Sequence, residues 1–354
     1  MEAPHAPLGV EDLTPQWLSA ALAAVSDGAA VTAAEATRVG NGMVSDSIRL
    51  RLSWDRAGAG PLSVVAKVPS AEATSRAAAA VGRTYEIEAA FYRELAATVA
   101  VHRPRCHLSL FDPATQGYAV LLEDLAPAQP GNQLTGCSVE EAEATIPELA
   151  ALHSPRWADD GLLALGWLDR PNPDSVAGTA ELLRLLFPTF LERYSETLAP
   201  GSLDVCQSLI DHAEDYLAHR ARPWTVTHGD FRLDNLLFGG PRVAVLDWQT
   251  VKAGPALSDV SYFIGSALQP STRREIEEDL VREYHSRLAA RGIDLPWSRC
   301  WDDYRRYSFD GVLMGIAASV LVGRTERGDA MFMAMVNRHA QQVVDLDAEA
   351  LMLA

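Results

Sequence analysis

Asp230 and Asn235 stand five positions apart in His228-Gly229-Asp230-Phe231-Arg232-Leu233-Asp234-Asn235, and Asp247 follows the apolar run Val243-Ala244-Val245-Leu246. Two carboxylates and a carboxamide at that spacing suit phosphoryl transfer from a nucleotide. One Asp takes the acceptor hydroxyl's proton, while the Asn and the second Asp hold magnesium against the nucleotide phosphates. On that chemistry Asp230 is the base, and Asn235 and Asp247 are the metal ligands. His228 reads as an orienting hydrogen-bond partner within the loop rather than a general base. Arg232 is expected to compensate developing phosphoryl charge or to touch the acceptor. The plainer alternative is a charged surface turn in which Asp234-Asn235 caps a helix. The buried-looking approach Trp224–Thr227 and the apolar exit Leu236-Leu237-Phe238 argue against it.

The basic residues add a second signal. Of 30 only two are lysines, Lys67 and Lys252, so arginine serves wherever a generic positive charge is needed. Lys67 ends Val64-Val65-Ala66-Lys67, close to the lysine strand that meets nucleotide phosphates. Its partner should be Glu88, which shares a helix face with Phe91, Tyr92 and Leu95 and would cost free energy there unless paired. Glu86 falls on the other side, near Arg83. The segment Gly40 to Ser47 joins two strand-like stretches and could lay backbone N–H groups over phosphates through Asn41 and Gly42, with Ser45 and Ser47 as side-chain donors.

These residues need elements to hold them. Leu13–Leu22 reads as a helix with Thr14 as N-cap and Pro15 at its first position. Strands are expected over Val31–Val39, Ser47–Trp54, Leu62–Val68, His107–Phe111 and Tyr118–Leu122, with one long helix over Ala73–Ala100. Beyond a Pro- and Gly-bearing stretch the pattern turns helical at Glu140–His153, Ala180–Leu198, Leu203–His219, Ser271–Arg291 and Asp302–Arg324. The expected organisation is an N-terminal nucleotide-binding lobe over 1–122, a hinge over 123–130, and a catalytic and acceptor-binding lobe over 131–354. His153 is expected to be structural, and Asp259 either to brace the loop or to cap the next helix.

Composition narrows the partners. The 354 residues carry a net charge of −17, with 10 basic and 14 acidic residues in 1–127 against 20 and 33 in 128–354. Such acidity argues against binding a nucleic-acid backbone. The first residues lack the basic start and apolar core of a secretion signal. Gly311–Gly323 is well short of the roughly 20 residues of a membrane span, so a cytoplasmic chain without membrane contact is expected. The scattered Cys106, Cys137, Cys206 and Cys300 indicate neither a zinc site nor a disulfide framework.

Val-Val-Ala-Lys67, Glu88-x-x-Phe91-Tyr92, Leu-Leu-Glu123-Asp124-Leu125, His228-Gly-Asp230-x-x-x-x-Asn235, Leu-Asp247-Trp-Gln and Gly-Pro-x-x-x-Asp259 together resemble the aminoglycoside phosphotransferase and choline kinase superfamily. The wording around Glu88 and the short Asp247-Trp-Gln turn look closest to its ecdysteroid kinase-like branch. The resemblance implies a two-lobed α+β, protein-kinase-like fold, with a small antiparallel sheet plus helix followed by a larger helical lobe. It implies ATP, or GTP, with Mg²⁺ between the lobes, backbone groups at Glu123 and Leu125 facing the purine, and transfer of the γ-phosphate to a hydroxyl of a small molecule. The aromatics Trp167, Phe187, Phe190 and Tyr194 lead us to expect a neutral, largely apolar acceptor. The competing readings are a catalytically silent nucleotide-binding protein and a kinase acting on protein. The 12-residue step from Asn235 to Asp247 and the missing Ala-Pro-Glu segment disfavour the last.

Overall fold

The computed structural model describes residues 4–40 and 44–352, which fold as two compact units. The first comprises residues up to 97, 103–127 and 247–250; the second comprises 98–102, 128–246 and 251 onward. The architecture is a two-lobed α+β fold, sheet plus helix in one lobe and mostly helix in the other.

In the first unit α1 (Pro15–Ala21) opens on Thr14, whose side chain accepts from Trp17 N, as the Thr-Pro pair predicts. Strands β1 (Val31–Arg38), β2 (Ser45–Trp54) and β3 (Ser63–Pro69) precede α2 (Ala73–Val81) and α3 (Thr84–Ala90), and β4 (Cys106–Asp112) and β5 (Gly117–Glu123) follow. The sheet is antiparallel in the order β1-β2-β3-β5-β4. Alternation divides its faces. Ile48, Leu50, Leu52, Val64, Ala66, Val68, Ala119 and Leu121 join Trp17, Leu18 and Leu22 in one core. Lys67 therefore points to the other face, directly opposite Ser47 on β2 and Val120 on β5.

The expected helix over Ala73–Ala100 is instead broken. Arg83 stands at φ +53 after Gly82, so α3 starts afresh, and the chain leaves it through a π-type turn at Phe91–Leu95. The reset decides which face of α3 meets the sheet, and it buries Tyr85, Ile87 and Glu88 together.

The second unit contains β6 (Gln129–Pro130), α4 (Val139–His153), α5 (Pro173–Tyr194), α6 (Ser202–Asp211), α7 (Ala213–Ala218), β7 (Thr225–Thr227), β8 (Leu236–Phe238), β9 (Ala244–Val245) and β10 (Lys252–Gly254). It closes with α8 (Leu257–Ala267), α9 (Pro270–Ala289), α10 (Trp297–Arg306), α11 (Phe309–Leu321), α12 (Glu326–Asp345) and α13 (Glu349–Met352). Two of the expected helices are each a pair, interrupted at His212 and at Tyr307-Ser308, and α12 went unread. Every residue of α8 is buried, as suits a central helix apolar on all sides. Strands β7 and β10 pair antiparallel, as do β6, β8 and β9, and the loop 228–235 is carried between β7 and β8. Among the described residues no helix is long and apolar enough to cross a membrane. The four cysteines are free, and burial pushes each thiol up to about 12.

Candidate active site

In the first unit Lys67 meets two carboxylates. Its Nζ lies 2.7 Å from Glu88 Oε1 and 2.8 Å from Asp247 Oδ1. Burial alone would lower the ammonium's affinity for its proton, but Asp247 and Glu88 outweigh it and hold the pKa above its usual value. Glu88 is 1% exposed and accepts also from Tyr118 Oη at 2.6 Å and from Trp248 N at 3.2 Å. Tyr118 reaches it because β5 alternation puts Tyr118 on Lys67's face of the sheet. Glu86 turns away to Arg83, 2.9 Å from its Nε. Asp247 itself stands at φ +64, a conformation that Asp tolerates better than most residues but that its surroundings must impose. The next residue does part of this, since the Trp248 ring stacks on Phe91 with centroids 4.0 Å apart.

Ser45 and Ser47 lie on β2, Ser45 buried and Ser47 half-buried, at the end that follows the loop. Asn41 and Gly42 lie outside the described residues. Tyr85 Oη donates to Val44 O at 2.7 Å and stacks on Tyr118, tying the loop's far side to the face that holds Lys67. Glu123 ends β5 and accepts from Arg105 N at 3.1 Å, and Leu125 follows half-buried. The aspartate between them receives Arg49 and Ser63.

In the second unit the loop is clipped from behind. Asp259, in the first turn of α8, accepts from the backbone N–H of His228 at 2.6 Å and of Gly229 at 3.0 Å, so it braces the loop rather than capping its own helix. His153 Nε2 lies 3.2 Å from the same carboxylate, with Nδ1 2.8 Å from the Tyr284 hydroxyl, a supporting role without chemistry of its own. Burial works against the Asp259 charge, but these histidine contacts and N–H donors keep its pKa below the usual carboxylate value. Gly229 takes φ +80, where a side chain would be strained. His228 Nε2 donates to Leu246 O at 2.8 Å, and its Nδ1 accepts from Asp230 N at 3.2 Å. Both ring nitrogens are thus spent on holding the loop.

Asp230 is presented half-buried with its oxygens occupied by three side chains. Arg232 Nε reaches Oδ2 at 2.9 Å, Asn235 Nδ2 donates to Oδ2 at 3.0 Å, and Tyr262 Oη donates to Oδ1 at 2.9 Å. Burial and the nearby Asp230 push the Tyr262 phenol well up, so it remains a donor. Arg232 also reaches Asp234 at 3.0 Å, and Arg327 at the start of α12 meets Asp234 at 3.1 Å through two nitrogens. Gln133 joins the cluster, donating its N–H to Asp234 Oδ1 and accepting from Leu233 N. Sequence reasoning missed Tyr118, Tyr262, Arg327 and Gln133. Only Tyr262 left a trace, one helical turn beyond Asp259.

Beside this loop a cavity of about 300 Å³ is lined by Gly229, Asp259 and Tyr262 together with residues of α5, β10 and α11. None of Trp167, Phe187, Phe190 and Tyr194 lines it. Phe187, Phe190 and Tyr194 pack on one another in the core, because their face of α5 is the one turned inward.

The chain belongs to the phosphotransferase enzyme family, whose model matches residues 50–306. Among curated proteins, acyl-CoA dehydrogenase family member 10 of Mus musculus is 28% identical over 173 residues, 44% of this chain and 16% of that protein. Acyl-CoA dehydrogenase family member 11 of Rattus norvegicus is 30% identical over 129 residues, 31% of this chain and again 16% of that protein. The match therefore spans about a sixth of these relatives' length. Of solved structures, a choline kinase from Cryptosporidium parvum superposes with a TM-score of 0.57 at 9% identity, covering 90% of this chain and 91% of its own. A putative aminoglycoside phosphotransferase from Ralstonia eutropha gives 0.52 at 19%, covering 93% and 97%. At these identities the two likenesses establish the fold of the aminoglycoside phosphotransferase and choline kinase superfamily.

Proposed function

We propose that this protein is an ATP- and Mg²⁺-dependent phosphotransferase that moves the γ-phosphate to a hydroxyl of a small molecule. The observation that carries the reading is Asp230, held in one orientation by Arg232, Asn235 and Tyr262 at a loop beside a small-molecule-sized cavity, in a chain of the phosphotransferase family. In the reaction the acceptor oxygen bonds to the γ-phosphorus as the bond to the β-bridging oxygen breaks. ADP leaves with that electron pair, and the hydroxyl proton goes to Asp230. Lys67, steadied by Glu88, holds the nucleotide's phosphates, and Ser45, Ser47 and the Gly40-Asn41-Gly42 segment cover them. The backbone at Glu123 and Leu125 receives the purine.

Asn235 fits a magnesium ligand. Its amide nitrogen is spent on Asp230 O at 2.9 Å and on Oδ2, which leaves the carbonyl oxygen, a hard donor, for the cation. Asp247 is the second ligand in this reading, and the ion when bound neutralises phosphate charge. His228 orients the loop, and Arg232 fixes the base and offsets charge near the reacting groups. Most of the acceleration then comes from positioning and charge compensation. Within the superfamily we favour the ecdysteroid kinase-like branch, on the Asp247-Trp-Gln turn. The test is ADP release from ATP and Mg²⁺ on adding single alcohols from a broad panel. Release that no alcohol stimulates would leave a silent nucleotide binder, and phosphorylation of peptides in place of alcohols would make it a protein kinase.

A further inference from the structure

The cavity beside Asp230 carries information about the acceptor. At about 300 Å³ it stands at the small end of ligand sites. Val176, Leu217, Leu313 and Met314 give it an apolar stretch. Its charged groups are nearly all committed. Asp310 receives the guanidinium of Arg220 through both oxygens and the hydroxyl of Tyr216. Arg220 is further enclosed by the Tyr216 and Tyr307 rings, at 4.7 and 5.0 Å. Asp259 is filled by the loop's backbone N–H groups, Arg170 donates to Leu163 O, and Asp169 is engaged as well.

Lys252 differs from all of these. It sits on β10 in the lining, exposed, and among the described residues its ammonium makes no hydrogen bond or ion pair; it acts only through space on Asp310, helping to hold that carboxyl below its usual value. It is one of only two lysines, and the other, Lys67, holds two carboxylates.

We propose that Lys252 anchors an anionic group of the acceptor, so that the cavity takes a small alcohol with an aliphatic body and a carboxylate or phosphate, its hydroxyl toward Tyr262 and Asp230. The inference rests on the phosphotransferase reading above. A cationic acceptor would meet Lys252 with like charge and find the nearby acids already filled. A neutral acceptor would leave the ammonium with only the through-space attraction of Asp310, whose oxygens Arg220 and Tyr216 already fill. An anionic acceptor supplies the missing partner, and partial enclosure strengthens that pairing relative to open water. With a net charge of −17 the protein repels anions at large, so a local cation is what such a substrate requires.

The test uses the full chain with matched alcohols, each prepared as carboxylate, methyl ester, phosphate ester and primary amine. The expected result is a kcat/KM at least about 10-fold higher for an anionic member than for its neutral match. Lys252→Ala should reduce that ratio about 10-fold or more, Lys252→Arg should retain it, and Lys252→Glu should shift preference toward the amine. The carboxylate and phosphate arms decide which anion fits. A neutral or amine member ranking first, with the ranking unchanged in Lys252→Ala, overturns the proposal. Should no alcohol be phosphorylated, calorimetric binding of the same acids separates the two ideas. Binding that Lys252→Ala abolishes upholds the anchor while the transferase reading fails. Binding indifferent to Lys252, or none at all, overturns the anchor.

Discussion

The two carboxylates expected to do chemistry are held by opposite means. Asp247 is held by charge: one buried ammonium, Lys67, lies against both Asp247 and Glu88, and the set tolerates burial because cation and anions share it. Asp230 is held by direction: an amide, a phenol and a guanidinium each approach from a different residue, behind a backbone clip formed by Asp259. Charge pairing fixes proximity but little orientation, whereas several directional donors fix a lone pair in space. A group that must receive a proton from a particular oxygen needs the second kind of support. A group that must meet a multivalent anion and its counterion is served by the first.

The largest expected effect breaks this contrast at Asp230. Asp230→Asn keeps the shape but removes the proposed proton acceptor, so turnover should fall about 10²–10⁴-fold with nucleotide affinity little changed. Steady-state rates beside nucleotide titration check it, and near-wild-type turnover would remove Asp230 from the role of base.

Much of this contrast was legible before any coordinates. The loop spacing and the lysine scarcity singled out Asp230, Asn235, Asp247 and Lys67, and the helical periodicity at Glu88, Phe91 and Tyr92 selected Glu88 over Glu86 because a buried acid requires a partner. The support for the loop that carries Asp230 was not legible, for a physical reason. Tyr262, Arg327 and Gln133 lie 32, 97 and 97 positions away, and what brings them together is the tertiary packing of α8 and α12. Local pattern misled as well: the apolar positions of Ala73–Ala100 kept helical period through Gly82-Arg83, where the backbone resets. Aromatics on α5 suggested a ligand-lining face but face the core.

The charge-held region can be broken unequally. The sequence points to Glu88 as the partner of Lys67, but Asp247 on the same ammonium makes the two sides of that pairing unequal. Lys67→Ala leaves the buried Glu88 and the half-buried Asp247 without the cation they share and should cost about 3–5 kcal/mol of folding stability. Glu88→Gln leaves Lys67 its second carboxylate and should cost clearly less. Urea unfolding of both variants measures the asymmetry, and equal losses would show that Asp247 contributes nothing to the ammonium's hold.

Behind the direction-held region lies a pH dependence. His339 is wholly buried with its ring 5.5 Å from that of Tyr262; its Nδ1 donates to Gln342 Oε1 at 3.0 Å, while Nε2 is packed against Gly311 without a partner among the described residues. Burial pushes its pKa down to about 4 from 6.5. The folded state thus resists a proton that the unfolded chain accepts, so this contribution is intact above pH 6.5 and declines as pH falls from 6.5 toward 4. The loss amounts to roughly 3 kcal/mol at the lower end. His339→Gln should flatten that part of the stability profile in urea titrations at a series of pH values. An unchanged slope between wild type and variant would place the acid sensitivity elsewhere.

The smallest effect sharpens the contrast most. Tyr262→Phe removes one donor from Asp230 while leaving the ring on His339 and the cavity wall in place. Losing a single hydrogen bond to a charged group is worth about 1.5–3 kcal/mol, but Arg232 and Asn235 still hold the same carboxylate, so the fall in kcat should lie near the lower end, about 10-fold. If the phenol serves direction, the loss falls on kcat, while KM for nucleotide stays put and thermal stability barely moves. The same substitution would be nearly silent if Asp230 were held by charge alone, because Arg232 supplies that charge and no ion pair is touched. A tenfold kcat loss with stability preserved therefore marks orientation as the quantity that the loop, α8 and the amide of Asn235 jointly provide. A loss confined to stability would instead make Tyr262 a packing residue whose hydroxyl merely finds the nearest acceptor.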